Sequence, residues 1–169
     1  MSTTTHKLIA KNVLGADTAT VSFGSIPATY TDLLLVMHVR SVRSGQRRDS
    51  LNIGLNSSTA DFTGRRLRGS GSAASSATTT RFIGEVPAAT ATADTFSSIE
   101  VYIPNYAGAT NKSFSVTSAQ EDNQSEAYID AVAGLWSQTA AITDIAITSA
   151  NSVDIKSGSS FFLYGITKA

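Results

Sequence analysis

Apolar residues in this chain recur at every second position, and that spacing decides most of what it can become. Leu51, Ile53 and Leu55 alternate with Asn52, Gly54 and Asn56; Ile99, Val101 and Ile103 alternate with Ser98, Glu100 and Tyr102; Phe114 and Val116 alternate with Ser113, Ser115 and Thr117. Strand side chains point to opposite faces in turn, so each run offers one apolar face to a core. The run Leu33-Leu34-Leu35-Val36-Met37, continued by Val39 and Val42, is apolar on both faces at its start and reads as a central strand, as does Phe161 to Ile166. Further strands are expected over Lys7 to Val13, Thr18 to Phe23, Ser76 to Gly84, Ala127 to Trp136 and Ile142 to Thr148, making about nine short strands.

Turn chemistry separates them: Gly15-Ala16-Asp17, Ile26-Pro27, Arg43-Ser44-Gly45, Asn56-Ser57-Ser58, Gly69-Ser70-Gly71, Pro104 to Gly108 and Lys156-Ser157-Gly158. Each supplies residues that adopt unusual backbone angles or cap a turn. Ala131 to Ala141 places Ala, Leu and Trp at loosely helical intervals, but its neighbours alternate, so strand is preferred. Ala88 to Asp94 reads as a loop within one domain. The expectation is an all-β, antiparallel sandwich or barrel over residues 8–169, behind a polar arm, Met1 to Lys7, that either drapes over a partner or frays.

With 169 residues the chain can bury roughly 70% of its unfolded surface and needs no disulfide or metal to hold a core. It has no Cys, which excludes a disulfide scaffold, a thiolate metal site and a cysteine nucleophile. Ser, Thr, Ala and Gly make up nearly half of it, and charged residues only 15%. The longest apolar run falls far short of a bilayer span and no secretory leader is visible, so a soluble chain made in a cytosol, without membrane contact, is expected.

The formal net charge is zero, which argues against nucleic-acid binding by bulk positive charge. That zero hides a segregation. All eight arginines (Arg40, Arg43, Arg47, Arg48, Arg65, Arg66, Arg68 and Arg81) lie between residues 40 and 81, opposed there only by Asp49 and Asp61. Between residues 82 and 155, nine acids face Lys112 alone. Guanidinium binds carboxylates bidentately and is enriched at protein interfaces. Arg43, Arg47, Arg48, Arg65, Arg66 and Arg68 are therefore the candidate partner-binding residues, expected on loops that meet acidic surface of a neighbouring subunit. Only Phe62 is interleaved with them, so nucleic-acid contact is not expected.

Chemistry finds little to work with. His6 lies at the chain start and His38 inside a strand, so no triad is expected, and no Gly-x-Ser-x-Gly, phosphate loop or His-Glu-x-x-His occurs. Glu85, Glu100, Glu121, Asp122 and Glu126 are available for glycoside chemistry, but nothing singles out a pair and solvated carboxylates are expected. Glu121 to Glu126 carries oxygen ligands for calcium without the spacing of a calcium loop and reads as a polar turn. No enzyme, metal or cofactor is expected. Glycan binding on an exposed aromatic platform is a further candidate, with Trp136, Tyr102, Tyr106 and Tyr128 available. Trp136, inside a strand, reads first as core, whereas Tyr106, in a turn, reads as the exposed ring.

Four segments, Phe23 to Val36, Leu51 to Asn56, Ile103 to Ala107 and Phe162 to Ile166, resemble a group of small β-rich proteins of tailed bacteriophages, cyanophages included. In similar proteins Gly-Asp often follows the Asn that ends the second segment; here Asn56 is followed by Ser57-Ser58-Thr59. The resemblance implies a jelly-roll-like sandwich and a structural place in the virion: a capsid cement (decoration) protein bound between major capsid subunits, or alternatively a tail-fibre or baseplate module that binds a host receptor or glycan. It brings no catalytic residues. Opposite charges on different segments favour a ring-closing contact between copies, hence a homotrimer.

Overall fold

Alternating sequence becomes alternating burial along most of the strands. The computed structural model describes residues 5–123 and 127–167. Among them twelve strands form: β1 His6–Val13, β2 Thr20–Phe23, β3 Asp32–Val39, β4 Arg48–Leu55, β5 Phe62–Gly69, β6 Ala74–Thr79, β7 Phe82–Pro87, β8 Ser97–Pro104, β9 Lys112–Glu121, β10 Ala127–Trp136, β11 Ile145–Ser149 and β12 Ser160–Ile166. β9 is the clearest case, buried and exposed in strict turn over ten residues.

All pairings are antiparallel, in an eight-stranded sheet ordered β1-β12-β3-β8-β9-β10-β5-β6 and a four-stranded sheet ordered β2-β11-β4-β7. Setting aside β5–β6, β8–β9 and β9–β10, early strands pair with late ones: β1 with β12, β2 with β11, β3 with β8 and β4 with β7. These pairings bring the two halves of the chain together across two antiparallel sheets, a β-sandwich. The inner faces share one core, with Leu33, Leu35 and Met37 of β3, Ile99, Val101 and Ile103 of β8 and Phe161 and Leu163 of β12 from the large sheet, and Leu51, Ile53 and Leu55 of β4 and Ile145 and Ile147 of β11 from the small one. Each contributes roughly 1.5–3 kcal/mol through burial.

Two boundaries differ from expectation. The stretch read as one strand over Ser76 to Gly84 is two, β6 and β7, which belong to different sheets. β5 falls where loop arginines were expected: its inward positions are Phe62, Gly64, Arg66 and Arg68, too polar to show alternation. The expected N-terminal arm also shortens, since His6 and Lys7 pair with Ile166 and Gly165; Met1 to Thr4 lie outside the described residues.

One rung depends on a missing side chain. Gly134 of β10 lies opposite Phe114 of β9, and a Cβ there would sit 2.1 Å from the Phe114 ring. Gly134→Ala is expected to cost about 1–3 kcal/mol through overpacking. Gly15→Ala, at a site with no atom within 4 Å of the added carbon, serves as the control. Urea titration of the two variants measures the difference, and equal midpoints would refute the packing argument.

The four segments that carry the phage resemblance converge at one end of the sandwich. Tyr106 is fully buried; its hydroxyl donates to the Pro27 carbonyl and accepts from the Tyr30 amide. The Tyr30 ring covers Gly165, and Asp32 accepts the Asn105 amide at 2.9 Å. Asn56 accepts the Thr143 amide at 2.8 Å, in a loop whose Ile142 amide donates to the Tyr106 carbonyl. These residues serve packing and turn closure.

Candidate functional site

The arginine segment and the acidic segment find each other within the chain. Arg68 of β5 lies opposite Asp130 of β10, both facing inward. Its Nε and Nη2 donate to the two Asp130 oxygens at 2.7 and 2.9 Å, and Nη2 also reaches Glu85 of β7 at 2.8 Å. The other Glu85 oxygen accepts Ser50 Oγ at 3.1 Å. Asp130 is 0% exposed, Glu85 5% and Arg68 8%. Arg66 Nε stands 3.8 Å from Asp130, its guanidinium 5.1 Å from the Phe82 ring centre. Tyr128 takes Arg68 at 4.4 Å and Arg48 at 4.7 Å. Burial disfavours the Arg68 cation, yet the bonds to Asp130 and Glu85 outweigh it and hold its pKa above the ordinary arginine value.

This cluster corrects two expectations. Arg68 is a buried internal cation, so it does not face a partner. Glu85 is a buried member of an ion triad, so it is not solvated. Glu85 and Asp130 share one guanidinium inside the core. The other candidate arginines divide: Arg65 is exposed, while Arg43, Arg47, Arg48 and Arg66 are partly exposed. Arg43 lies in the turn before β4, where its Nη1 reaches the Arg48 carbonyl at 3.4 Å.

Arg40, just after β3, is also internal, at 5% exposure. Its Nη1 donates to the carbonyls of Thr92 and Thr95 and to Thr95 Oγ1, its Nη2 to those of Ala88 and Ala91, all within 2.8–3.0 Å. Burial lowers its pKa, and Asp94 and Asp122 act against that. Lys112, 0% exposed, plays the same part for Gly108, Thr110 and Thr139, donating to the first and last at 2.6 and 3.1 Å; burial lowers its pKa too. Sequence reasoning named neither as structural, because a single Lys or Arg carries no signal that three or four carbonyls converge on it.

The aromatic platform does not form. Tyr106 is 0% exposed, which corrects its expected place as the exposed ring; Trp136 is 3% exposed, stacked on Phe62 at 6.1 Å. Tyr102 is the most open of the four, and its hydroxyl donates to Asp32 at 2.9 Å. That bond, with burial adding to it, raises the Tyr102 pKa. His38 is exposed and stacks on Phe96 at 4.6 Å. In the turn expected to be polar, Glu121 accepts the Asn123 amide at 2.7 Å; Gln124 to Glu126 lie outside the described residues. Among the described residues no three His, Cys, Asp or Glu gather as metal ligands.

What remains open lies on the outer faces. The small sheet bears a shallow cleft of about 350 Å³ lined by Thr20, Asn52, Gly54, Arg81, Ala146 and Thr148 among others, with no carboxylate or imidazole. On the large sheet, Leu67 of β5 (59% exposed) and Ile129 of β10 (60%) stand over exposed Ala131, Ala133, Ser115 and Thr117, with exposed Arg65 beside them. This face combines apolar area with a cation and has no side chain above it among the described residues. Comparison with protein-family models, with curated proteins and with solved structures returns no match.

Proposed function

We propose that this chain is a structural protein of a bacteriophage virion, a capsid cement protein that binds between major capsid subunits and holds the shell together. The reading starts from the phage resemblance of four segments, which account for much of the sandwich's hydrogen-bonded end. The observation that carries the binding mode is the open outer face of β9, β10 and β5, where Leu67, Ile129 and Arg65 stand exposed together. Exposed apolar area beside charge is the usual mark of a protein-contact surface. Arg43 and Arg47, in the turn before β4, extend the candidate contact set. Each contact is small, so retention comes from many copies acting together, and closure into a homotrimer multiplies it. Synthesis is in the host cytoplasm and the working location is the particle.

Two measurements test this. Densitometry of purified virions is expected to show the chain in copy number comparable to the major capsid protein; a few copies per particle would move it to the tail, and none would refute the proposal. Leu67→Ser with Arg65→Ala, both at exposed positions, is expected to weaken rebinding to stripped particles about tenfold with unchanged thermal stability. Undiminished binding would remove this face from the contact.

A further inference from the structure

The two sheets have four edges, and three are protected against pairing with another chain. β1 carries Lys7, Lys11 and a bulge between Leu8 and Ala10. β2 is four residues long. β7 is buried along its whole length, shifts register against Leu51 and Asn52, and ends in Pro87. Charges, bulges, shortness and cover are the devices by which native sheets avoid edge-to-edge association. β6 has none of them. Ala74–Thr79 contains no charge and no Pro, runs without a register break along β5, and is exposed at every residue but the half-buried Thr79. Its outer edge meets no strand among the described residues.

We propose that β6 pairs antiparallel with β6 of a second copy of this chain, about a two-fold axis at Ala77, which joins the two large sheets into one. The occupant follows from the strand's own sequence. An antiparallel pair sets residues of the same face opposite each other, so a two-fold axis passes between one residue and its own copy. Centred on Ala77, Ser76 faces Thr78 of the second copy, Ser75 faces Thr79, and the two Ala77 methyl groups meet at the axis. Every flanking pair is then hydroxyl against hydroxyl, a favourable cross-strand combination. Centred on Ser76 instead, Ser75 would face Ala77 and Ala74 would face Thr78, and the match is lost. A foreign strand would meet main-chain donors and acceptors here but neither a large side chain nor a charge to select it, whereas a second β6 supplies the matching hydroxyls.

This contact is independent of the virion role, and its test needs only the full purified chain. Sedimentation velocity is expected to show concentration-dependent association into species with an even number of chains: pairs, or pairs of trimers. Ser76→Lys with Thr78→Lys sets like charges opposite each other and is expected to weaken that association about tenfold or more at unchanged thermal stability. The absence of native Cys makes crosslinking clean. Directly opposed Cα atoms lie about 4.5–5.5 Å apart, within disulfide range. Ala77→Cys alone should therefore crosslink rapidly. Ser75→Cys alone should not, whereas Ser75→Cys mixed with Thr79→Cys should. A chain monomeric at all concentrations, an odd-numbered assembly indifferent to the lysines, or equal crosslinking at positions 75 and 77 would each overturn the proposal. None of these outcomes bears on whether the chain binds a capsid shell.

Discussion

Replacing Arg68 by Met is expected to remove about 3–5 kcal/mol of stability, although no exposed surface changes. The substitution leaves Asp130, 0% exposed, and Glu85, 5% exposed, facing each other without their shared cation. The cost lies in stranding those charges, so it should vanish when they are removed as well. The triple variant Arg68→Met, Asp130→Leu, Glu85→Leu is expected to return close to the parent, since apolar packing often matches a buried ion cluster. Ser50, which donates to Glu85 at 3.1 Å, keeps access to solvent in that variant as a half-buried residue. For a domain of this size the single variant should melt about 10 °C lower or more. Differential scanning calorimetry on the single and triple variants decides the matter. A triple variant as unstable as the single one would mean that the triad is a net source of stability rather than a satisfied cost.

That triad also explains why the charge segregation misled. Eight arginines in one segment and nine acids in the next look like two surfaces waiting for partners. In the fold, β5 and β10 are neighbours despite 57 intervening residues, and Arg68 meets Asp130 directly across the pair. Linear separation says nothing about strand adjacency, and a buried guanidinium has the same letter as an exposed one. The signal that could have separated them is parity. Along β5, Arg65 and Leu67 share one face, while Phe62, Gly64, Arg66 and Arg68 share the other. An arginine in phase with an apolar Phe62 is an arginine aimed at the core.

Elsewhere the same two-residue rhythm was a sound guide. β4, β8 and β9 are visible because Leu51, Ile99, Phe114 and their partners repeat without interruption, and each of those residues is buried. The turns were legible for a local reason: Asn56, Asn105, Gly45, Gly71 and Gly158 all take positive φ, which few other residues accept. β6 was half legible, because its Ser, Thr and Ala residues face water on both sides and leave no alternation to see. The burial of Tyr106 could not be read from its turn context, since it depends on the Pro27 carbonyl, 79 residues away.

Arg40→Ala is expected to cost about 2–4 kcal/mol and, unlike the Arg68 change, to spread its damage to the surface. One guanidinium holds four carbonyls and a hydroxyl of the 88–95 loop. That loop in turn docks on the turn that carries Arg43 and Arg47: the amides of Ala88, Ala89 and Thr90 donate to the carbonyls of Arg47, Arg43 and Gln46 at 2.8, 3.2 and 3.0 Å. Loosening the loop therefore loosens the turn, and amide exchange should rise in residues 43–48 and 88–95 together while β3, β8 and β12 stay protected. Arg40→Lys should recover less than half of the loss, because an ammonium has three donors and cannot span the fork that Nη1 and Nη2 occupy. Hydrogen exchange read by mass spectrometry distinguishes this from general destabilisation. If exchange rises evenly across the chain, or if Lys restores full protection, the loop is not held by the guanidinium fork. If the pattern holds, a residue with almost no exposed surface sets the geometry of the two arginines that the proposed shell contact uses, and the Ala variant should bind stripped particles more weakly even at temperatures where it remains fully folded.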